Sequence, residues 1–327
     1  IDGSEFSARQ GITAIAGSSI FSSSFVSETE GLDSESGGGI VGSDFYAKQG
    51  YAAIEVADQF DGSVVETLEE IELTATWING STFVSEDGYI DLESTVGDIV
   101  GGSATAKTDE VIVMSAGSIV GLTVDAATAA TLDAGAEIDN TAVVAGLEIT
   151  ADAGTGISGS SFTSELGQLI SITAATGNIA GTLANAKAGA VTITAAEGEL
   201  DAVDVTALLD ITATAGDAIF ASSFVSEEGN LIITSGSDIV GSDFYAKLGT
   251  ATFNDGTVTG QFDGNVVVTL GDILVEATWI NGSTLVSEAG LVDIEATAGD
   301  IVAGSATSKA SSVTATAFGN IDGLVVD

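Results

Sequence analysis

Apolar residues in this chain come in short alternating stretches separated by small polar residues. In Leu169 to Thr173, for example, apolar and polar side chains alternate as a strand with one buried face requires. The hydrophobic fraction of 45% and the mean hydropathy of +0.42 are high, yet the sequence has no apolar run of about 18 residues that could cross a bilayer. The pattern therefore predicts an all-β protein that does not insert into membranes.

An apolar anchor, usually Ile, recurs along the whole chain in a corner made of Gly, Ser, Asp or Ala. The anchors are Ile20, Ile40, Phe60, Ile78, Ile99, Ile119, Ile138, Ile157, Ile179, Leu200, Ile219, Ile239, Phe262, Ile280, Ile301 and Ile321. Their mean spacing is about 20 residues, a short solenoid period. We therefore expect a parallel β-solenoid of about sixteen coils, with residues 1–327 forming one continuous domain.

A second, longer repeat spans about 200 residues, or ten coils of about 20 residues. The segment Thr76 to Thr82 recurs as Thr278 to Thr284, and Gly42 to Lys48 recurs as Gly241 to Lys247. Each coil is predicted to contain a short strand, a Gly-containing turn, a second strand and the corner with its anchor. Equivalent Phe side chains should point inward from the short strands, because successive side chains alternate between the two faces. These are Phe25, Phe83, Phe162 and Phe224.

The six cationic residues occupy one slot of the coil, and five of them follow a Glu in the same slot one coil earlier. The pairs are Glu28 with Lys48, Glu86 with Lys107, Glu165 with Lys187, Glu227 with Lys247, and Glu288 with Lys309. Such cross-strand pairs contribute about 0.2–1 kcal/mol each and fix the register. Arg9 has no preceding Glu, so we expect its partner in a longer precursor or a neighbouring subunit.

Composition excludes several classes of function. The formal charge of −42 would repel nucleic acid and anionic membranes, and it favours salty or divalent-rich extracellular surroundings. The chain has no Cys and no His, which removes the usual catalytic triads, so we predict that it is not an enzyme. It also has no Pro, as a chain committed to strand pairing requires.

Outward carboxylates on successive coils are the candidate metal ligands. Glu72 with Asp91 and Glu276 with Glu295 form the two clearest pairs. Like charges directly opposite each other are destabilising unless something bridges them, and oxygen ligands suit calcium. Calcium is therefore the candidate cofactor, bound at these four residues. Other Asp residues beside Gly are ordinary turn formers or alternative ligands, and the turn interpretation is preferred. They are Asp98, Asp217, Asp238 and Asp300.

Trp77 and Trp279 occupy equivalent places next to a corner. They could line a groove that binds a glycan or a cell-surface receptor, or they could pack against the core. The adjoining Asn79-Gly80-Ser81 and its repeat at Asn281 match an N-glycosylation acceptor. A turn at Asn-Gly is the preferred explanation of these two segments.

The segments Ile211 to Ile219 and Gly177 to Gly181 resemble the haemagglutinin-type repeats of the filamentous haemagglutinin family of secreted bacterial exoproteins. The resemblance implies a right-handed parallel β-helix, surface display, and a role in adhesion or matrix formation. This chain is more acidic than that family and lacks its Pro residues, and the family's amino-terminal secretion domain is not visible. Because Ile1 to Gly3 shows neither Met nor an apolar leader, we expect a processed or partial product.

These observations lead to one leading functional prediction and one alternative. The leading prediction is an extracellular structural protein that forms or contributes to a bacterial surface filament, sheath or matrix fibre by end-to-end stacking of copies of itself. Ile1 to Gly3 repeats the corner Ile321 to Gly323, and uncapped sheet edges invite such stacking. The alternative is the stalk of a calcium-stiffened adhesin that binds a glycan or receptor.

Overall fold

The computed structural model describes residues 1–253 and 260–327, and in these residues every regular element is a β-strand. Three strands make one coil, and each contributes to one of three sheets. The strands of sheet 1 are Glu5–Ala8, Ser24–Ser27, Asp44–Ala47, Val64–Thr67, Thr82–Ser85, Ser103–Ala106, Thr123–Ala126, Ala142–Ala145, Ser161–Ser164, Leu183–Ala186, Asp204–Ala207, Ser223–Ser226, Asp243–Ala246, Val266–Thr269, Thr284–Ser287, Ser305–Ser308 and Val325–Val326.

Sheet 2 follows sheet 1 in each coil and contains the longest strands. Its strands are Ile12–Ala16, Leu32–Ser36, Ala52–Val56, Ile71–Ala75, Ile90–Ser94, Val111–Ser115, Ala130–Ala134, Ile149–Ala153, Leu169–Ala174, Ala190–Ala195, Ile211–Ala215, Leu231–Ser235, Ala251–Phe253, Ile273–Ala277, Val292–Ala296 and Val313–Ala317. Sheet 3 carries the anchors on strands of two or three residues. Its strands are Ile20–Phe21, Ile40–Val41, Gln59–Asp61, Trp77–Asn79, Ile99–Val100, Ile119–Val120, Ile138–Asp139, Ile157–Ser158, Ile179–Ala180, Leu200–Asp201, Ile219–Phe220, Ile239–Val240, Gln261–Asp263, Trp279–Asn281, Ile301–Val302 and Ile321–Asp322.

Strands pair in parallel with the equivalent strand of the next coil. Ile71 lies opposite Ile90, and Ile90 lies opposite Val111, so like residues stack rung upon rung. The predicted fold class is therefore confirmed: the protein is a parallel β-solenoid of about 16 turns of about 20 residues. One detail differs from the sequence prediction, because each anchor lies in a strand of its own and not in an irregular corner.

The chain divides into two compact units, residues 1–154 with 160–162, and residues 155–159 with 163–327. Each unit contains strands of all three sheets and the same rung-to-rung register. The pairing of Gln59 with Trp77 in the first unit recurs as Gln261 with Trp279 in the second. The ten-coil repeat thus has matching local structure, and the single continuous domain over 1–327 stays a prediction.

The anchors and the Phe residues of sheet 1 form the cores of the units. Fifteen of the sixteen anchors are at most 4% exposed, whereas Ile321, in the last rung, is 49% exposed. The predicted inward Phe residues are buried. Within the first unit Phe25 stacks on Phe6 and on Phe45 with ring centroids 5.0 Å apart. Stacks of this kind add to the free energy of apolar burial and fix rung spacing.

Each strand of sheet 3 is followed by a residue in the left-handed backbone region, with φ between 45° and 68°. Most of these residues are Gly, because a side chain in that region costs roughly 1–2 kcal/mol. Ala202, Ala221 and Ala303 occupy the same place in three coils of the second unit. The sharp turn from sheet 3 to sheet 1 therefore accounts for 11 of the 42 Gly residues in the chain.

Candidate functional surfaces

The Glu–Lys pairs form a ladder on the surface, at the end of the sheet 1 strands. All five predicted pairs are present, and in four of them Lys Nζ lies 2.6–2.8 Å from the Glu carboxylate. Both partners are about half exposed, so each pair contributes well under 1 kcal/mol. Arg9 takes part in none of the ion pairs formed by the described residues. The ladder acts on register more than on stability, because a one-coil mismatch would take each Lys away from its Glu.

The first predicted carboxylate pair lies as expected, since Glu72 and Asp91 are register partners in sheet 2. Asp91 Oδ1 is buried without a hydrogen-bond donor. Burial, followed by the charges of Glu72, Glu93 and Glu110, raises the pKa of Asp91. Glu72 is not free, because the Tyr89 hydroxyl donates a hydrogen bond to its Oε1. That hydrogen bond, with burial and the surrounding carboxylates, raises the pKa of Tyr89 to about 12.

The second pair also lies as predicted, because Glu276 and Glu295 are register partners. Two carboxylates offer at most four oxygens, while calcium takes about six to eight. Within residues 1–253 and 260–327, no three acidic side chains are grouped closely enough to hold a metal ion. The two carboxylates of a pair alone would therefore leave the calcium shell incomplete, and calcium binding at these four residues stays a prediction.

The Asp residues next to the corners mostly serve the backbone. Asp98 Oδ1 accepts a hydrogen bond from the Ser118 amide at 2.7 Å, one coil later. Asp238 Oδ1 accepts one from the Gln261 amide at 2.8 Å, and Asp300 accepts one from the next coil in the same way. These carboxylates connect neighbouring rungs and do not form Asx turns, which bind the backbone about two residues further on; the turn interpretation stays a prediction.

Both Trp residues lie on the outer face of sheet 3 and not in a core. Trp77 is 41% exposed and Trp279 is 44% exposed. A Cβ placed on Gly97 would lie 2.3 Å from Trp77 Cδ2, so the indole packs directly on the Gly97 backbone. Gly299 has the same relation to Trp279. Of the two alternatives for these residues, packing against the core is not observed, since each indole covers a surface glycine and remains partly in solvent.

The surroundings of the two indoles match closely. Each Trp is the register partner of a Gln on the preceding rung, and the adjacent Asn is the register partner of an Asp. In the second unit, Trp279, Gln261, Asn281 and Asp300 contribute to the lining of a shallow depression of about 250 Å³. Each unit thus carries an exposed aromatic ring among amide and carboxylate groups.

A ladder of buried hydroxyl groups runs between sheets 3 and 1, and sequence reasoning missed it. The Ser23 amide donates to Ser43 Oγ at 3.2 Å, and the Ser43 amide donates to Ser63 Oγ at 3.1 Å. In the second unit the Ser222 amide donates to Ser242 Oγ in the same way. The only available signal was a Ser repeatedly found two residues after the anchor strand. Its role is structural, because it satisfies backbone donors at the turn.

Comparison with known proteins identifies no relative: no family model, no curated protein and no solved structure matches this chain. Among the residues that the structure describes, no helix is long and apolar enough to cross a membrane.

Proposed function

We propose that this chain is an extracellular structural protein that contributes to a bacterial surface filament, sheath or matrix fibre by end-to-end stacking of β-solenoids. The observation that carries the proposal is the uniform register of the rungs. Ile20 lies opposite Ile40 and Ile280 lies opposite Ile301 in the same sheet and the same geometry. Because successive rungs are nearly interchangeable, an exposed sheet edge can accept a further rung from another copy.

Charge opposes sideways association of copies of the chain. The net charge of −42 gives strong repulsion between copies that approach side by side. The Glu–Lys ladder acts within each copy, where it holds neighbouring rungs in register, since each of these Lys residues lies one rung from its Glu. Contacts that add rungs without closing on themselves produce open filaments. Copies of the same chain are therefore the partners that the proposal names.

The extracellular location rests on charge and on resemblance. A chain with so many negative charges is most stable where salt or divalent cations screen the repulsion between them, as they do outside the cell. The haemagglutinin-type segments at Ile211 to Ile219 and Gly177 to Gly181 favour the same setting. We propose neither nucleic acid nor membranes as partners, because both carry negative charge and would repel the chain. We propose no catalytic role, because the chain has neither His nor Cys.

Electron microscopy of the purified chain tests the proposal. With calcium present and protein concentration increased, we expect continuous filaments of uniform width. Addition of a chelator should shorten them if bridging cations contribute, and renewed calcium should restore them. Isolated particles under every condition would contradict end-to-end assembly and would leave a stalk role as the better account of the fold.

A further inference from the structure

The exposed indoles of Trp77 and Trp279 are equivalent surface features of the two units. A large aromatic ring left about two-fifths exposed costs free energy in water, and two equivalent positions in the two units repeat it. Gly97 and Gly299 hold the rings in place from below, because any larger residue there would displace them. The rings are therefore preorganised, which lowers the ordering cost of binding a ligand.

We propose that each indole, with the Gln on the preceding rung and the neighbouring Asn, forms a binding subsite for a neutral polysaccharide. A sugar ring has one apolar face of C–H groups and an edge of hydroxyl groups. The C–H face suits the negative face of an aromatic ring. The hydroxyl groups need partners that both donate and accept, which is what an amide side chain provides.

The positions of the polar groups fit that chemistry. Gln59 lies opposite Trp77 and Asp61 lies opposite Asn79, one rung apart, which is about 4.8 Å in a β-sheet. In the second unit, Gln261 and Asp263 stand in the same relation to Trp279 and Asn281. The amide groups therefore flank the ring at a spacing that hydroxyl groups of one or two sugar residues can span. The same flanks recur in the second unit as part of the ten-coil repeat.

Charge selects neutral over acidic sugars. In the first unit Asp61 lies opposite Asn79, and the Ile78 amide next to Trp77 donates a hydrogen bond to the Asp98 carbonyl. In the second unit Asp263 lies opposite Asn281, and Asp300 lines the depression beside Trp279. All six cations lie in a slot away from sheet 3, and five of them are already paired with Glu. A uronic acid or sialic acid would meet carboxylates and no available cation, which disfavours its binding.

Tryptophan fluorescence provides a direct test, because the chain contains only these two Trp residues. The probes are laminarin, galactomannan, xyloglucan and dextran, with polygalacturonate as the acidic comparison. We expect at least one neutral polysaccharide to change the emission in a saturable manner and polygalacturonate to have no effect. The affinity should be nearly the same in about 0.1 M and about 1 M sodium chloride, because charge does not drive it.

Variants assign the binding to the two subsites. In a pull-down with the neutral polysaccharide that binds, Trp77→Ala with Trp279→Ala should lose at least about tenfold in affinity, as a buried aromatic contact does. Gln59→Ala with Gln261→Ala keeps both indoles as fluorescent reporters and should also weaken binding. Tyr51→Ala is the matched control, because Tyr51 likewise packs on a glycine, Gly31, but precedes a sheet 2 strand and lies outside both proposed subsites.

Circular dichroism establishes that each variant is folded. The proposal is overturned if none of the four neutral polysaccharides binds the folded wild-type protein, or if the double Trp variant binds as well as Tyr51→Ala does. Binding that disappears in high salt would also overturn it, since that result would indicate an ionic partner.

Discussion

Replacement of Gly236 by Ala tests the close approach of neighbouring rungs. Gly236 has an ordinary backbone conformation, yet a Cβ there would lie 2.0 Å from the carbonyl oxygen of Gly216 on the preceding rung. A normal contact needs roughly 3.4 Å or more. The two rungs must therefore move apart locally, and the hydrogen bond from the Gly236 amide to Ala215 O, now 2.9 Å, is strained or lost.

The expected loss is about 2–4 kcal/mol in the free energy of unfolding. Overpacking a tight site costs about 1–3 kcal/mol, and a lost backbone hydrogen bond adds about 1 kcal/mol. Gly241→Ala is the matched control in the same coil. Gly241 has φ +60° and open space where a Cβ would lie, so its substitution should cost only about 1 kcal/mol from the left-handed conformation.

Hydrogen exchange measured by mass spectrometry is the appropriate assay, because coils of a solenoid can open separately and need not unfold in a single step. Gly236→Ala should speed exchange in Ile211–Ala215 and Leu231–Ser235, and urea denaturation should show the larger loss. If Gly241→Ala destabilises the protein as much as Gly236→Ala, conformational strain and not rung contact governs the glycines, and the reasoning is refuted.

Three further predictions follow from the surface and the turns. Asp91→Asn should raise the free energy of unfolding at pH 7 by about 0.5 kcal/mol, the scale of a cross-strand charge pair. Burial and neighbouring carboxylates raise the folded-state pKa of Asp91, so the ionised form is penalised above that pKa. The advantage of the variant should therefore vanish as the pH falls through it in thermal melts. Ala221→Gly should stabilise by about 1 kcal/mol in urea denaturation, because Ala221 has φ +46°. Glu276→Gln with Glu295→Gln should weaken any calcium binding measured by calorimetry.

Each of these three has a contradicting result. An Asp91→Asn gain that persists unchanged at acidic pH would mean that charge is not its cause. Ala221→Gly without a gain would mean that the unfolded-state entropy of glycine offsets the relief of backbone strain. Calcium binding that is unaffected by the double Glu variant would place the cation elsewhere on the surface.

The fold was predictable because its determinants are local and repeated. Sixteen anchors at regular spacing specify coils, and the Glu–Lys pairs specify which coil stacks on which. The anchors and the Glu–Lys pairs are recognisable in the sequence because their side chains meet their partners one rung apart, which is about 20 residues along the chain. By contrast, the spacing of the anchors alone does not determine where the residue after each anchor lies. Val100 and Val120 follow buried anchors, point away from the core and are register partners of each other.

Apart from the Glu–Lys pairs, the surface was harder to predict, because its other contacts along the rung direction involve residues with no sequence signature. Trp77 lies on Gly97 only because the register places that glycine on the next rung. Tyr89 engages Glu72 for the same reason, which a simple pairing of carboxylates did not anticipate. The Ser23–Ser43 hydrogen bond depends on turn geometry, and single hydroxyl groups in a Ser-rich sequence do not reveal it.

Fibre diffraction from aligned samples of the assembled protein tests the central claim most directly. Rungs that continue from copy to copy would give a reflection near 4.8 Å along the fibre axis, since strands then run across that axis. We expect this reflection, oriented on the meridian. Fibres that place the 4.8 Å spacing perpendicular to their axis, or samples in which no fibres form, would contradict assembly by end-to-end stacking of β-solenoids.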